Sequence, residues 1–172
     1  MKKALLILVF ILAASTSFAQ SLAIGPQLGY FKSKDADDGA YIFSGAARFS
    51  FLMFGVEGTV GYSESKYFNG DIKIQNYPIS ITGMVNIMPF IYADAGMDWF
   101  NRKIIYNIPG ISDETSTSVG YHIGVGAQIS LGPLLLTGDA KYIFTDKYKL
   151  FTGVEVNNNY YILSIGVLYK IL

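Results

Sequence analysis

The chain contains no cysteine, which removes disulfide staples, thiolate metal sites and cysteine nucleophiles from consideration together. It holds a single histidine, and its carboxylates lack ligand spacing, so neither a metal nor any other cofactor is expected. Lysine and arginine form no cluster or stripe, so nucleic acid is not an expected partner. Charged residues make up only 15% of the 172 residues, against an apolar fraction of 51%. Beyond residue 19, however, no apolar run is long enough to cross a bilayer as a helix. High apolarity without a spanning helix leaves two architectures: a soluble protein with a large core, or a β-barrel whose apolar residues face lipid.

The first nineteen residues read as a secretory signal peptide. Lys2 and Lys3 supply a positive start, Ala4 to Ala14 an uninterrupted apolar run, and Ser17 and Ala19 the small residues that precede a cleavage site. No cysteine follows the run, which excludes a lipoprotein anchor. The remainder, 20–172, is expected to form one domain. Removing two lysines from thirteen basic residues, against thirteen acidic ones, leaves that domain slightly acidic.

What the remainder does have is alternation. From Phe54 to Ser63, Phe54, Val56, Val60 and Tyr62 fall on one face and Glu57, Thr59 and Ser63 on the other. From Val119 to Leu131 the same rhythm sets Val119, Tyr121, Ile123, Val125, Ala127, Ile129 and Leu131 against Gly120, His122, Gly124, Gly126, Gln128 and Ser130. Successive side chains of a strand point to opposite faces, so each stretch is one strand with an apolar and a polar side. Leu22–Phe31, Ala40–Ser50, Pro78–Ile87, Phe90–Phe100, Leu134–Phe144 and Tyr160–Leu172 read likewise, giving eight strands. Short connections near Phe51-Leu52, Met88-Pro89 and Gly132-Pro133 alternate with long polar ones at 32–39, 64–71, 101–115 and 145–157. The pattern predicts an all-β, eight-stranded antiparallel up-and-down transmembrane barrel, with short periplasmic turns and longer outer loops.

A lipocalin-like soluble carrier would share the alternation but reverse the faces. The polar face here is rich in Gly, Ser and Thr with isolated charges, which suits a narrow interior. The apolar face is nearly free of charge, and a Lys or Arg at mid-bilayer depth there would cost roughly 2–4 kcal/mol. Tyr30, Tyr41, Tyr62, Trp99, Tyr121, Tyr142, Tyr161 and Tyr169 gather near strand ends, as aromatic girdles do.

The last strand, SIGVLYKIL, sets Ser164, Gly166, Tyr169 and Ile171 in a polar-x-Gly-x-x-apolar-x-apolar order. This resembles the C-terminal signal read by the barrel-assembly machinery, although the usual terminal aromatic is replaced by Leu172. With its length and strand count, the chain resembles the small outer-membrane β-barrel families typified by the OmpA barrel, OmpX and the opacity proteins. The resemblance covers nearly all of 20–172 and implies an outer-membrane location with lipid and the assembly machinery as partners. Adhesion or surface interaction through the outer loops would follow from the same likeness.

The phase sends Arg48, Glu57, Asp94, Asp98, His122, Asp139, Lys141 and Lys170 inward. An eight-stranded barrel is only just wide enough for side chains to fill it, and buried charges must pair. These residues are therefore expected to form a network that plugs the barrel; a lined ion path is the alternative. A lipid A-modifying enzyme, which some similar barrels are, would need a serine brought beside His122, and no catalytic residue is assigned. Asp35, Asp37 and Asp38 lack a calcium-loop motif and read as a solvated acidic loop. The expected function is thus a non-enzymatic envelope or surface-interaction barrel, with a narrow pore for ions or small solutes as the alternative.

Overall fold

The computed structural model describes residues 20–33, 39–67, 72–106, 113–145, 148–149, 155–156 and 159–171. The expected signal peptide, 1–19, and the acidic trio Asp35, Asp37 and Asp38 lie outside them. Among the described residues ten strands run in chain order: β1 (Gln20–Ser33), β2 (Ala40–Phe51), β3 (Phe54–Tyr67), β4 (Ile72–Met88), β5 (Ile91–Tyr106), β6 (Glu114–Leu131), β7 (Leu134–Thr145), β8 (Tyr148–Lys149), β9 (Glu155–Val156) and β10 (Tyr160–Lys170). Eight of them close a barrel in the order β1-β10-β7-β6-β5-β4-β3-β2, every pair antiparallel; β8 and β9 form a separate two-stranded ladder. No helix among the described residues is long and apolar enough to cross a membrane; the chain crosses with strands, which leave no backbone edge facing lipid once the barrel is closed.

Alternation carries through every wall strand. On β2, Tyr41, Phe43 and Phe49 are exposed on the outer surface while Ile42, Ala46 and Arg48 are buried inside. On β10, Tyr161, Leu163, Ile165, Val167 and Tyr169 face out, with Gly166 and Leu168 buried. An apolar exterior around a polar interior is the reverse of a soluble carrier barrel, so the lipocalin alternative fails on the faces themselves.

The three short connections are the two-residue turns Leu52-Met53, Pro89-Phe90 and Gly132-Pro133. The first two fall one residue later than expected; at the second, a bulge between Asn86 and Met88 absorbs the extra residue. Two prolines lie within strands, at Pro26 and Pro78, and each coincides with a gap in one ladder. Pairing of β1 with β10 skips from Ile24↔Tyr169 to Gln27↔Gly166, and pairing of β3 with β4 skips from Val60↔Ile79 to Ser63↔Asn76. Proline has no N–H to give, so the neighbour on that side loses its bond while the other ladder continues.

The outer loops are shorter than the sequence pattern implied. Half of the segment 64–71 is strand, since β3 runs to Tyr67; 101–115 is mostly strand, since β5 runs to Tyr106 and β6 starts at Glu114. The segment 32–39 gives its first residues to β1, and 145–157 contains the β8–β9 ladder. Backbone pairing continues above the lipid, where both faces of a strand meet water and apolar alternation is no longer required. Inside the barrel, Phe100, Ile143 and Tyr160, packed with Phe31 and Ile162, fill the outer end. Ala23, Ala46, Leu135 and Leu168 fill the β1, β2, β7 and β10 side near the turn end.

Candidate functional site

Between these apolar clusters the interior is polar and hydrogen-bonded. Arg48 and Glu57 are direct cross-strand partners on the hairpin β2–β3, and both side chains are 1% exposed. Arg48 Nε donates to Glu57 Oε2 at 2.8 Å, and Nη2 lies 2.7 Å from the same oxygen. The guanidinium then reaches across the lumen: Nη1 donates to Gln128 Oε1 at 3.1 Å and Nη2 to the Tyr92 hydroxyl at 3.1 Å. Tyr92 donates in turn to Asp139, and Gln128 Nε2 donates to Asn86 Oδ1 at 3.0 Å. Gln27 Nε2 adds a second donor to Glu57 at 3.2 Å. One arginine thus ties together strands β2, β3, β5 and β6, and through Tyr92 also β7. Charge-assisted, multidentate bonding of this kind is what allows a buried guanidinium to persist.

A second cluster surrounds His122 on β6. Its Nδ1 lies 2.7 Å from Asp98 Oδ2, its Nε2 lies 3.1 Å from Thr82 Oγ1, and Ser80 donates to the other Asp98 oxygen at 2.6 Å. Asp94 Oδ1 is 3.9 Å from Nε2, and neither Asp94 oxygen has a hydrogen-bond partner among the described residues. Asp98 carboxylate, His122 imidazole and Thr82 hydroxyl follow one another in the order of a nucleophilic triad, with threonine where a lipid-modifying enzyme would need serine. Thr82 is 0% exposed, so no substrate reaches that hydroxyl.

Of the eight residues expected inside, Arg48, Glu57, Asp94, Asp98, His122 and Asp139 are buried together. Lys141 lies at the edge of the group, with Nζ 4.0 Å from Glu57 Oε1 and its side chain 12% exposed. Lys170 does not join them: it sits at the turn-side mouth and donates to Ser130 Oγ at 2.8 Å. The central network is therefore unequal in charge: two cations, Arg48 and Lys141, meet four carboxylates around His122. Tyr92, Gln27, Gln128, Thr82 and Ser80 complete the network, and none of them is among the site residues expected from the sequence. Tyr92 shares its phase with Asp94 and Asp98, which was signal enough to place it inside. Among the described residues, no group of three or more histidines and carboxylates is arranged to hold a metal ion. Of the expected assembly signal, Ser164 and Gly166 face the lumen, while Tyr169 and Ile171 face outward and are exposed.

The outer rim is marked by aromatic pairs on the exterior: Tyr30–Tyr41 at 5.4 Å, Tyr62–Tyr77 at 5.3 Å, and Tyr142 against Tyr161 and Phe144 at 4.7 and 4.8 Å. Immediately above Tyr62 the outward face turns polar. Lys73 pairs with Glu64 at 2.8 Å, and the Tyr62 hydroxyl donates to Glu64 at 2.7 Å. Hydrogen bonding from Lys73 first, then from Tyr62, holds the Glu64 carboxyl down at about 2. On β5 and β6 the same step is made by Asn101 accepting from Thr117 at 3.0 Å, and by Lys103 with Asp113, just before β6, at 3.2 Å.

A closed antiparallel barrel, apolar outside and polar inside, with an aromatic rim and short turns at one end, is a transmembrane β-barrel of the bacterial outer membrane. The chain belongs to the outer membrane protein beta-barrel domain family, which it matches over residues 4–170. No curated protein matches the sequence. Among solved structures it is similar to Neisserial surface protein A, at 17% identity and a TM-score of 0.58 over 87% of this chain and 97% of that one. It is also similar to Ail, the attachment invasion locus protein of Yersinia pestis, at 19% identity and a TM-score of 0.54 over 88% and 97%. A major outer membrane protein from Thermus thermophilus matches at 15% identity and a TM-score of 0.59 over 87% and 99%. At these identities the likeness is one of fold.

Proposed function

We propose that this protein is a non-enzymatic, non-conducting outer-membrane barrel that serves envelope integrity or surface interaction and meets its environment through the outer loops. The observation that carries the reading is the Arg48 network, which crosses the lumen from β2 to β5 and β6, below an outer end filled by Phe100, Ile143 and Tyr160. An ion would have to break several charge-assisted bonds and then part an apolar cluster. The burial of Thr82 supports the non-enzymatic part, since the one imidazole-linked hydroxyl is closed to substrate. Surface interaction is supported by the company of the fold: one neighbour is named a surface protein and another an attachment invasion locus protein. Delivery by the barrel-assembly machinery, through Ser164, Gly166, Tyr169 and Ile171, belongs to the same proposal.

Planar-bilayer recording of the folded protein, with insertion verified, tests the central claim. The expected record is silent for the native protein, with steps appearing in Arg48→Ala, which removes the group that spans the lumen. Discrete steps from the native protein that change on replacing Glu57 or Asp139 would instead make the interior charges a pathway.

A further inference from the structure

At the turn end, which is the periplasmic end, the lumen widens into a cavity of about 560 Å³, within the range of sites that take small organic ligands. Its polar lining is all donor or neutral. The single charged group in that lining is Lys170, whose Nζ gives one hydrogen bond to Ser130 Oγ at 2.8 Å and makes no salt bridge among the described residues. The amide relay above it is directional. Gln128 spends its oxygen on Arg48 and its nitrogen on Asn86 Oδ1, so the group left to Asn86 for the cavity is its NH₂. A cation and an amide donor, with no carboxylate among the described residues that line the cavity, make a place for an anion.

The rim is the opposite in character. Leu52, Met53 and Met88 line the cavity and are 51%, 51% and 52% exposed. Leu52 is held at φ 54°, in the left-handed region, whereas the same position of the β6–β7 turn carries Gly132 at φ 61°. Glycine satisfies this turn without strain; leucine keeps a large apolar side chain at the mouth in spite of it.

We infer that the periplasmic mouth binds a single-chain anionic amphiphile: an alkyl carboxylate, with its head on Lys170 and the Asn86 amide and its chain along Leu52, Met53 and Met88. One lysine matches a monoanion, whereas a phosphate monoester brings close to two charges. The site lies below the Arg48 network and does not depend on whether the lumen conducts.

The test uses methionine as a reporter. Of five methionines in the chain, Met53 and Met88 line the mouth, and Met97 stands on the outward face of β5. The protein is labelled with ¹³C-methyl methionine, folded into phosphatidylcholine nanodiscs and titrated with dodecanoate. Met53 and Met88 are expected to shift saturably, while Met97 only drifts as the amphiphile enters lipid. Lys170→Gln should weaken binding about tenfold or more, and Lys170→Arg should retain it. Leu52→Gly, which suits the turn, should weaken it without touching the charge, with barrel closure checked by mobility of unboiled protein on a detergent gel. Several results overturn the inference: drift of Met53 and Met88 identical to that of Met97, equal binding of dodecyltrimethylammonium, tighter binding of dodecyl phosphate, or the same saturation with inorganic phosphate alone.

Discussion

The imidazole of His122 occupies the space that a side chain at Gly96 would fill, and the two are direct cross-strand partners. The same holds for Tyr92 with Gly126, and for Asp94 with Gly124. A Cβ placed on Gly96 would overlap the carbonyl oxygen of Ile81 as well as the His122 ring; backbone cannot step aside as the end of a flexible chain can. On the lipid side, Gly58 has nothing within 4 Å of that position. Gly96→Ala should therefore destabilise the folded barrel by about 1–3 kcal/mol, the ordinary cost of overpacking a filled interior. Gly58→Ala should stay within about 0.5 kcal/mol of the native protein. Urea unfolding in lipid vesicles would measure both; equal effects would mean that the interior is looser than its cross-strand pairs imply. The inward direction of His122 was legible in the sequence, because a thirteen-residue run holds its phase from Val119 to Leu131. Its partners were not. Asp98 and Thr82 lie 24 and 40 residues away, and pairing at that separation depends on the registers of β4, β5 and β6 relative to one another. Arg48 with Glu57 is the exception, since a two-residue turn fixes their register locally.

Among the elements, the hairpin β3–β4 shows where sequence pattern stops informing. From the sequence the strands are expected at Phe54–Ser63 and Pro78–Ile87 with 64–71 as the loop between them, which puts Glu64 in the loop and Lys73 and Gln75 in neither element. Those residues form a hydrogen-bonded polar step on continuing strands, with Ser63↔Asn76, Glu64↔Gln75 and Lys66↔Lys73 still in register. Alternation reports contact with lipid, and the ladder outlasts it. The step also gives this hairpin a pH signature. Glu64 is held at about 2 against an ordinary 4.5, so its ionised form favours the folded hairpin. That contribution is complete above the unfolded value and is lost as pH falls from about 4.5 through about 2. Acidification should loosen the outer hairpin while leaving the membrane-embedded wall intact. A ¹³C-carboxyl NMR titration should place the Glu64 midpoint near 2 and show it rising in Lys73→Gln. A native midpoint near 4.5 would remove the Lys73 and Tyr62 contacts from the account.

For the whole molecule, the decisive contact joins the two ends of the chain. β1 and β10 meet from Ala23↔Lys170 to Ser33↔Tyr160, and without that seam the other seven pairings would leave an open sheet with two bare edges in lipid, where each unpaired backbone group costs several kcal/mol. An apolar outer face in lipid required closure, but the seam register could not be read from the sequence, since no turn connects β1 to β10. It can be tested because the chain has no cysteine to interfere. Leu28 and Ile165 are seam partners on the outward face, where a pair of cysteines disturbs no interior group. Opposed residues on antiparallel strands sit about 4.5–5.5 Å apart at Cα, within disulfide reach. Leu28→Cys with Ile165→Cys should cross-link on oxidation of the folded protein. Leu28→Cys with Leu163→Cys, two residues out of register, should cross-link far less. Oxidised and reduced samples of the in-register pair should also migrate differently after boiling, because the link closes a loop spanning nearly the whole domain. Equal cross-linking of both pairs would mean that the seam slides, and efficient linkage only in the second would shift β10 by two residues and carry Gly166 away from Gln27, with which it now pairs.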